Sequence, residues 1–306
     1  DFKINIKQNM SIKNSFSIKD LENLSGVKAH TIRIWEKRYN LLEPERSDSN
    51  IRTYNLQNLR KILNIAVLNK SGVKISKIAD ISEEELNHKV KDITLENKEN
   101  SVAVNNFKIA MLNFDQSLFE ETYNKLLACN SFRDVFLKEF LILLTDIGNL
   151  WTTNTISPAH ERFISTLIKQ KILINIERVQ NVNPRDDMTY ILYLPMNEIH
   201  DIGVLYVHFE LMLKGYKSVF LGPSVPLENL YELQHVFENI TYISYFTVEP
   251  VVDRVYDYLN EMNNNILSKR NEPMHILGNN TKGLDKNKIP NNVKVHDSII
   301  DLIDVL

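Results

Sequence analysis

The chain has 306 residues, 43% of them apolar and 25% charged, with a single cysteine and only eight glycines. The length points to two or three domains, the composition excludes wholesale disorder, no apolar run reaches the ~18–20 residues of a membrane span, and Cys129 alone excludes an internal disulfide or a multi-cysteine metal site. The net charge of −3 hides an asymmetry: between Lys13 and Lys77 thirteen Lys/Arg stand against six Asp/Glu, while the remainder is acidic. A basic front on an acidic body is the footprint of a domain that meets a polyanion, although an unevenly charged, solvated surface would look the same by charge alone. The opening residues show no basic-then-apolar leader, so a cytoplasmic location without membrane contact is expected.

Residues 1–13 are polar and patternless and read as a frayed arm. Ser17 with Asp20 three residues later predicts a helix start whose apolar face is Ile18, Leu21 and Leu24, stopped by Ser25-Gly26. A second helix is expected over 28–39, with Ile32, Trp35 and Tyr39 on one side. Two helices about a glycine turn read as a helix-turn-helix, and the irregular 41–54 stretch, with Pro44 and a Ser/Asp/Asn cluster, as its wing. Helices follow over 56–68 and from Ile75. The charged stretch 88–106 reads as a linker. Helical patterns at 107–113, 116–129, 132–151 and 158–179 make a four-helix bundle, the last started by Ser157-Pro158. From Tyr190 short apolar strands alternate with helices (190–194, 218–222, 242–246, 275–278, 293–295), which implies a doubly wound parallel sheet, Rossmann-like, with its ligands at the strands' C-terminal ends. The domains are thus a winged helix-turn-helix over 14–87, a linker over 88–106, a bundle over 107–183 and a sheet domain over 188–306.

The densest constellation is Thr31-Ile-Arg33-Ile-Trp35-Glu-Lys37-Arg38-Tyr39, then Pro44-Glu45-Arg46 and Arg52-Thr53-Tyr54. Arg33 and Lys37 are four apart and share a helix face, from which they reach base edges or phosphates in a major groove. Arg46 and Arg52 flank the wing and would grip phosphates, and Tyr54 offers a hydroxyl to the backbone. Trp35 and Tyr39 suit core and contact alike. This set resembles the DNA-binding domain of MerR-type transcription regulators over residues 16–80, which implies a double-stranded DNA operator as partner and a homo-oligomer to read paired half-sites.

The loop after the first strand of the sheet domain reads Glu198-Ile-His200-Asp201-Ile-Gly203. It is similar to the acid-x-His-x-x-Gly signature of cobalamin-binding domains. The resemblance implies that His200 ligates cobalt from below, that Glu198 bonds the other imidazole nitrogen, and that Gly203, Ser244 and Gly278 lie along the cofactor's nucleotide tail. The bulky Tyr245 and Phe246, and Asn279 where a second glycine is usual, depart from the family and narrow that channel. Trp151 and Glu161 resemble the pair that covers the upper corrin face in MerR-type regulators with a C-terminal cobalamin-binding domain, the light-responsive CarH-like and LitR-like repressors. There the residue after the Trp is His and the Glu is followed by His; here they are Thr152 and Arg162, with His160 ahead of the Glu. The cofactor implied is cobalamin, in its adenosyl form.

No His-Glu-x-x-His, Gly-x-Ser-x-Gly or Gly-x-Gly-x-x-Gly occurs, and no acid pair stands out, so an enzyme is not expected. Cys129, in an apolar helix pattern, reads as a buried thiol. Two rival readings stay open: the same fold regulating through another ligand or through protein contacts, and a corrinoid-dependent methyltransferase or mutase subunit, against which the basic front argues.

Overall fold

A computed structural model describes residues 15–46, 51–96, 101–180 and 184–306. The expected arm, the wing tip at 47–50 and the middle of the expected linker lie outside the described residues. The chain divides into two compact units, Asp1–Leu167 and Ile168–Leu306.

The first unit opens with α1 (Ile18–Ser25) and α2 (Ala29–Tyr39). Ser17 caps α1 in a reciprocal capping box with Asp20, and Gly26 ends it at φ +74°, a left-handed conformation that favours glycine. The wing is the antiparallel pair β1 (Glu45–Arg46) and β2 (Arg52–Thr53). Beyond it Tyr54 exchanges backbone hydrogen bonds with Phe16, at 2.7 and 2.8 Å, so the wing is tied to the segment before α1. Then come α3 (Leu56–Lys70), capped by Asn55, and α4 (Ile75–Ala79).

The described residues of the stretch expected to be a linker are helical instead. They belong to the later part of α5 (Glu83–Glu96) and the beginning of α6 (Ser101–Asn113). Three glutamates occupy the first turn of α5, where the helix dipole favours them. Leu86 and Val90, one turn apart, are buried. Their spacing of four is that of one helix face, set among charged neighbours that give the stretch the look of a linker.

Next are α7 (Gln116–Leu127) and a continuous helical rod made of α8 (Phe132–Val135), a π-turn at Phe136–Phe140 and α9 (Leu141–Thr152). Phe107, Phe119, Phe136 and Phe140 meet there, with ring centroids 5.0 to 6.2 Å apart. Lys108 of α6 is buried, yet paired: its Nζ lies 2.5 Å from Asp146 Oδ2 of α9 and donates to the Leu24 carbonyl of α1 at 3.4 Å. A buried ammonium is tolerated only with such partners. This one fastens the bundle helices to the helix-turn-helix. The helix α10 (Pro158–Arg178) runs across the division between the units.

In the second unit five described strands form one parallel sheet in the order β4 (Tyr216–Val225), β3 (Arg185–Pro195), β5 (Ile240–Tyr245), β6 (Met274–Leu277), β7 (Val293–Val295). Residues 190–194 are all buried, as a central parallel strand covered on both faces requires. The intervening elements are α11 (Ile202–Leu213), α12 (Glu228–Tyr231) with a 3-10 turn, α13 (Val255–Met262) running through a π-turn into α14 (Ser268–Arg270), and α15 (Ile299–Val305), capped by Ser298. The chain goes from β3 outward to β4, then crosses to β5 on the other side. The strand order therefore reverses at β3, and the crevice of this doubly wound sheet lies at the C-terminal ends of β3 and β5.

Candidate functional site

In the N-terminal unit, Arg33, Lys37 and Arg38 stand exposed on α2 and Arg46 on β1, while Thr31 and Tyr39 are half-buried. The exposed cations are placed to meet a polyanion. Two expected contacts are corrected. Trp35 is only 7% exposed and belongs to the core beside Ile32. Tyr54 is wholly buried, and its hydroxyl donates to Glu36 Oε1; burial first, then the neighbouring carboxylate, push its phenol pKa far up. Glu36 also pairs with Arg52 Nε at 3.4 Å. A single carboxylate on α2 thus holds Arg52 of the wing and Tyr54 just beyond it. Arg52 is turned toward that carboxylate through Nε, while its side chain stays 38% exposed. Glu36 carried no signal in sequence beyond being one acid among the helix's bases.

At the crevice edge the loop between β3 and α11 is knotted from several sides. The Glu198 amide donates to the Pro195 carbonyl at 3.0 Å, the Ser224 amide to the Glu198 carbonyl at 3.1 Å, and the Asn197 amide to Ser224 Oγ at 3.1 Å. The Glu198 side chain is completely buried. Its Oε1 lies 2.6 Å from His200 Nδ1 and accepts from the Ile199 and His200 amides, both at 2.9 Å. Its Oε2 accepts from the amides of Thr247, Val248 and Glu249 at 3.0, 2.6 and 2.9 Å. Burial alone would raise this carboxyl's pKa, but the bonds from His200 and the amides outweigh it and bring it down to about 2. An ionised carboxylate only accepts, so the His200 proton sits on Nδ1, and Nε2 is the ring nitrogen able to give a lone pair to a metal. The His200 side chain is 40% exposed. Met196 and Ile199 on this loop, and Val248 and Val251 on the loop that Glu198 ties to it, are exposed apolar side chains.

The other expected cofactor residues are placed as follows. Gly203 lies in the first turn of α11, and a Cβ there would stand 2.8 Å from the Tyr245 ring. Ser244 is fully buried, its hydroxyl donating to the Tyr193 carbonyl at 2.9 Å. Gly278, at φ +126°, is where the chain passes the Phe246 backbone so closely that a Cβ would sit 2.4 Å from its carbonyl oxygen. The glycine is therefore required by chain packing. Asp201, given no role in sequence, is buried and paired with Lys169 of α10.

In the first unit Trp151 is 52% exposed at the end of α9, and Glu161 is half-buried at the start of α10. The Thr152 side chain lies outside the described residues. His160 is buried, takes the Ser157 amide on Nδ1 at 3.1 Å and stacks on Phe114 with centroids 4.8 Å apart, so it serves as the partner in the helix cap. Cys129 is exposed rather than buried, because α7 ends at Leu127 and leaves the thiol on the following turn. Among the described residues no helix is long and apolar enough to cross a membrane.

Comparison with known proteins fits this arrangement. Residues 16–85 match the MerR HTH regulatory protein family, and residues 103–174, α6 to α10, match the B12 binding domain family. A curated relative, the HTH-type transcriptional repressor CarH of Myxococcus xanthus, is 24% identical over 213 residues, covering 68% of this chain and 70% of the relative. The solved monomethylamine corrinoid protein of Methanosarcina barkeri is 16% identical with a TM-score of 0.54, covering 65% of this chain and 94% of that one, a likeness of fold alone. A MerR-type helix-turn-helix in front and a B12 binding domain behind it, together with the similarity to a transcriptional repressor, make this chain a MerR-type transcription regulator with a cobalamin-binding domain.

Proposed function

We propose that the chain is a repressor that holds a duplex operator through Arg33, Lys37, Arg38 and Arg46 and takes up cobalamin, in its adenosyl form, with His200 as the lower cobalt ligand. The observation that carries this reading is the 2.6 Å bond between Glu198 and His200 Nδ1 at the ligand edge of the sheet. It fixes the tautomer that presents Nε2 to a metal, and an acid behind the imidazole strengthens it as a donor. A single imidazole suits a metal that arrives with its other ligands in place, and the apolar Met196, Ile199, Val248 and Val251 suit the flat face of a macrocycle. When bound, cobalamin would supply a carbon–cobalt bond whose state the protein can report. The assignment of Trp151 and Glu161 to the upper face, and of Gly203 to the tail, rests on the family resemblance. So does self-association, since one recognition helix reads one half-site.

The test is a mobility shift on a duplex selected from a random pool, at several salt concentrations, with and without adenosylcobalamin in the dark. Arg46→Ala weakens all sequences alike and flattens the salt slope by about one unit. Cobalamin changes the affinity of the wild type and not of His200→Ala. An affinity indifferent to cobalamin in both proteins would refute the sensing role.

A further inference from the structure

The crevice where the strand order reverses is already filled. Gly203 begins α11 above the end of β3, Tyr193 of β3 pairs in register with Ser244 of β5, and Tyr245 follows Ser244. Between them lies the Tyr245 ring: a side chain on Gly203 would meet its Cε2 at 2.8 Å and its Cζ at 2.9 Å. The residues on either side of Tyr245 are committed. Ser244 is bonded to the Tyr193 carbonyl. Phe246 is fully buried, edge-on to Tyr258 at 5.5 Å, with its backbone donating to Leu277 and accepting from Asn280. Tyr245 differs. It is half-buried, burial pushes its phenol pKa up to about 12, and its hydroxyl makes no hydrogen bond among the described residues. It is held by packing alone and can leave without stranding a polar partner.

A corrinoid that took His200 as its lower ligand would release its own lower base, and the nucleotide arm bearing that base would need room near the sheet edge that carries His200. The crevice between α11 and β5 is where the fold offers room for it. We propose that Tyr245 is a plug in that crevice, so that the domain discriminates among corrinoids by the presence of the nucleotide arm and admits an arm only when the tyrosine swings out. This rests on the cobalamin reading above and adds a specificity-determining residue to it.

Two measurements on the full chain test it. In the first, spectral titrations compare cobalamin with cobinamide, which has the corrin ring but no nucleotide arm. The wild type is expected to hold cobinamide about tenfold more tightly than cobalamin, and Tyr245→Ala to tighten cobalamin by about tenfold while leaving cobinamide within about twofold. Equal affinities in the wild type, or a Tyr245→Ala variant that binds cobalamin no better, overturn the plug and leave the cofactor reading standing. No uptake of either corrinoid by either protein overturns both. The second measurement needs no ligand. Gly203→Ala drives a methyl into the Tyr245 ring, so it lowers the thermal midpoint in the wild-type background and not in the Tyr245→Ala background. Equal lowering in both backgrounds would show that the ring does not lie on Gly203.

Discussion

Replacing Glu198 by Gln keeps the side chain's shape and turns one carboxylate oxygen into an amide NH2. Oε1 serves His200 Nδ1 and two amides, and Oε2 serves three more amides, so whichever way the new amide is set, a donor faces donors. A buried N–H left without its acceptor costs about 1–3 kcal/mol, and because neighbouring losses do not add, the total expected is about 2–4 kcal/mol. The charge contributes in its own right. The folded carboxyl sits at about 2 against an ordinary 4.5, a difference worth about 3 kcal/mol by linkage. Since the folded value is the lower one, this contribution is complete above pH 4.5 and is lost as the pH falls toward 2. Hydrogen exchange on the full chain reads the effect where it arises, at the amides of Thr247, Val248 and Glu249. At neutral pH their exchange should quicken by about 30- to 1000-fold in Glu198→Gln, and the wild type alone should show protection that falls between pH 4.5 and 2. Protection within about threefold of the wild type would refute the claim that this carboxylate holds the two loops together.

In the N-terminal domain, Arg33→Ala should cost about 1–3 kcal/mol at a cognate duplex if Arg33 meets a base edge, with a smaller loss on unrelated DNA; equal losses on both would make it a phosphate contact. Trp35→Ala should cost about 3–5 kcal/mol of stability by denaturation while leaving the salt slope of DNA binding unchanged, and an undiminished stability would return Trp35 to the interface. Tyr54→Phe removes the bond to Glu36 and should cost about 1–3 kcal/mol, loosening the wing; a wild-type melting curve would show that bond to be idle. Cys129 should react with a thiol reagent in the native chain about as fast as in denaturant, and strong native protection would contradict its exposure.

What local chemistry encodes was readable in the sequence. Ser17 and Asp20 announce the start of α1, Gly26 its end, and the unbroken apolar run at 190–194 a strand covered on both faces. The acid-x-His spacing put Glu198 and His200 within bonding reach because two residues of one loop suffice. What depends on distant partners was hidden. The three amides that neutralise Glu198 Oε2 lie about fifty residues downstream and carry no side-chain signature. Spacing places Trp35 and Tyr54 on a face without giving their depth, so core residues looked like contacts. The helix α5 was hidden by its charged surface, although Leu86 and Val90 are buried. Cys129 was misplaced by a helix end two residues too late. The Tyr245 ring over Gly203 joins the end of a strand to the start of a helix some forty residues earlier, a contact that only the packed sheet reveals.

The most direct test of the central claim is the absorption spectrum of the full chain after incubation with excess adenosylcobalamin in the dark and removal of free cofactor by gel filtration, in the wild type and in His200→Ala. The account expects cobalamin to travel with the wild type and to show an imidazole-ligated spectrum that disappears in the variant. Cobalamin that fails to travel with the wild type, or a spectrum identical in His200→Ala, would contradict it.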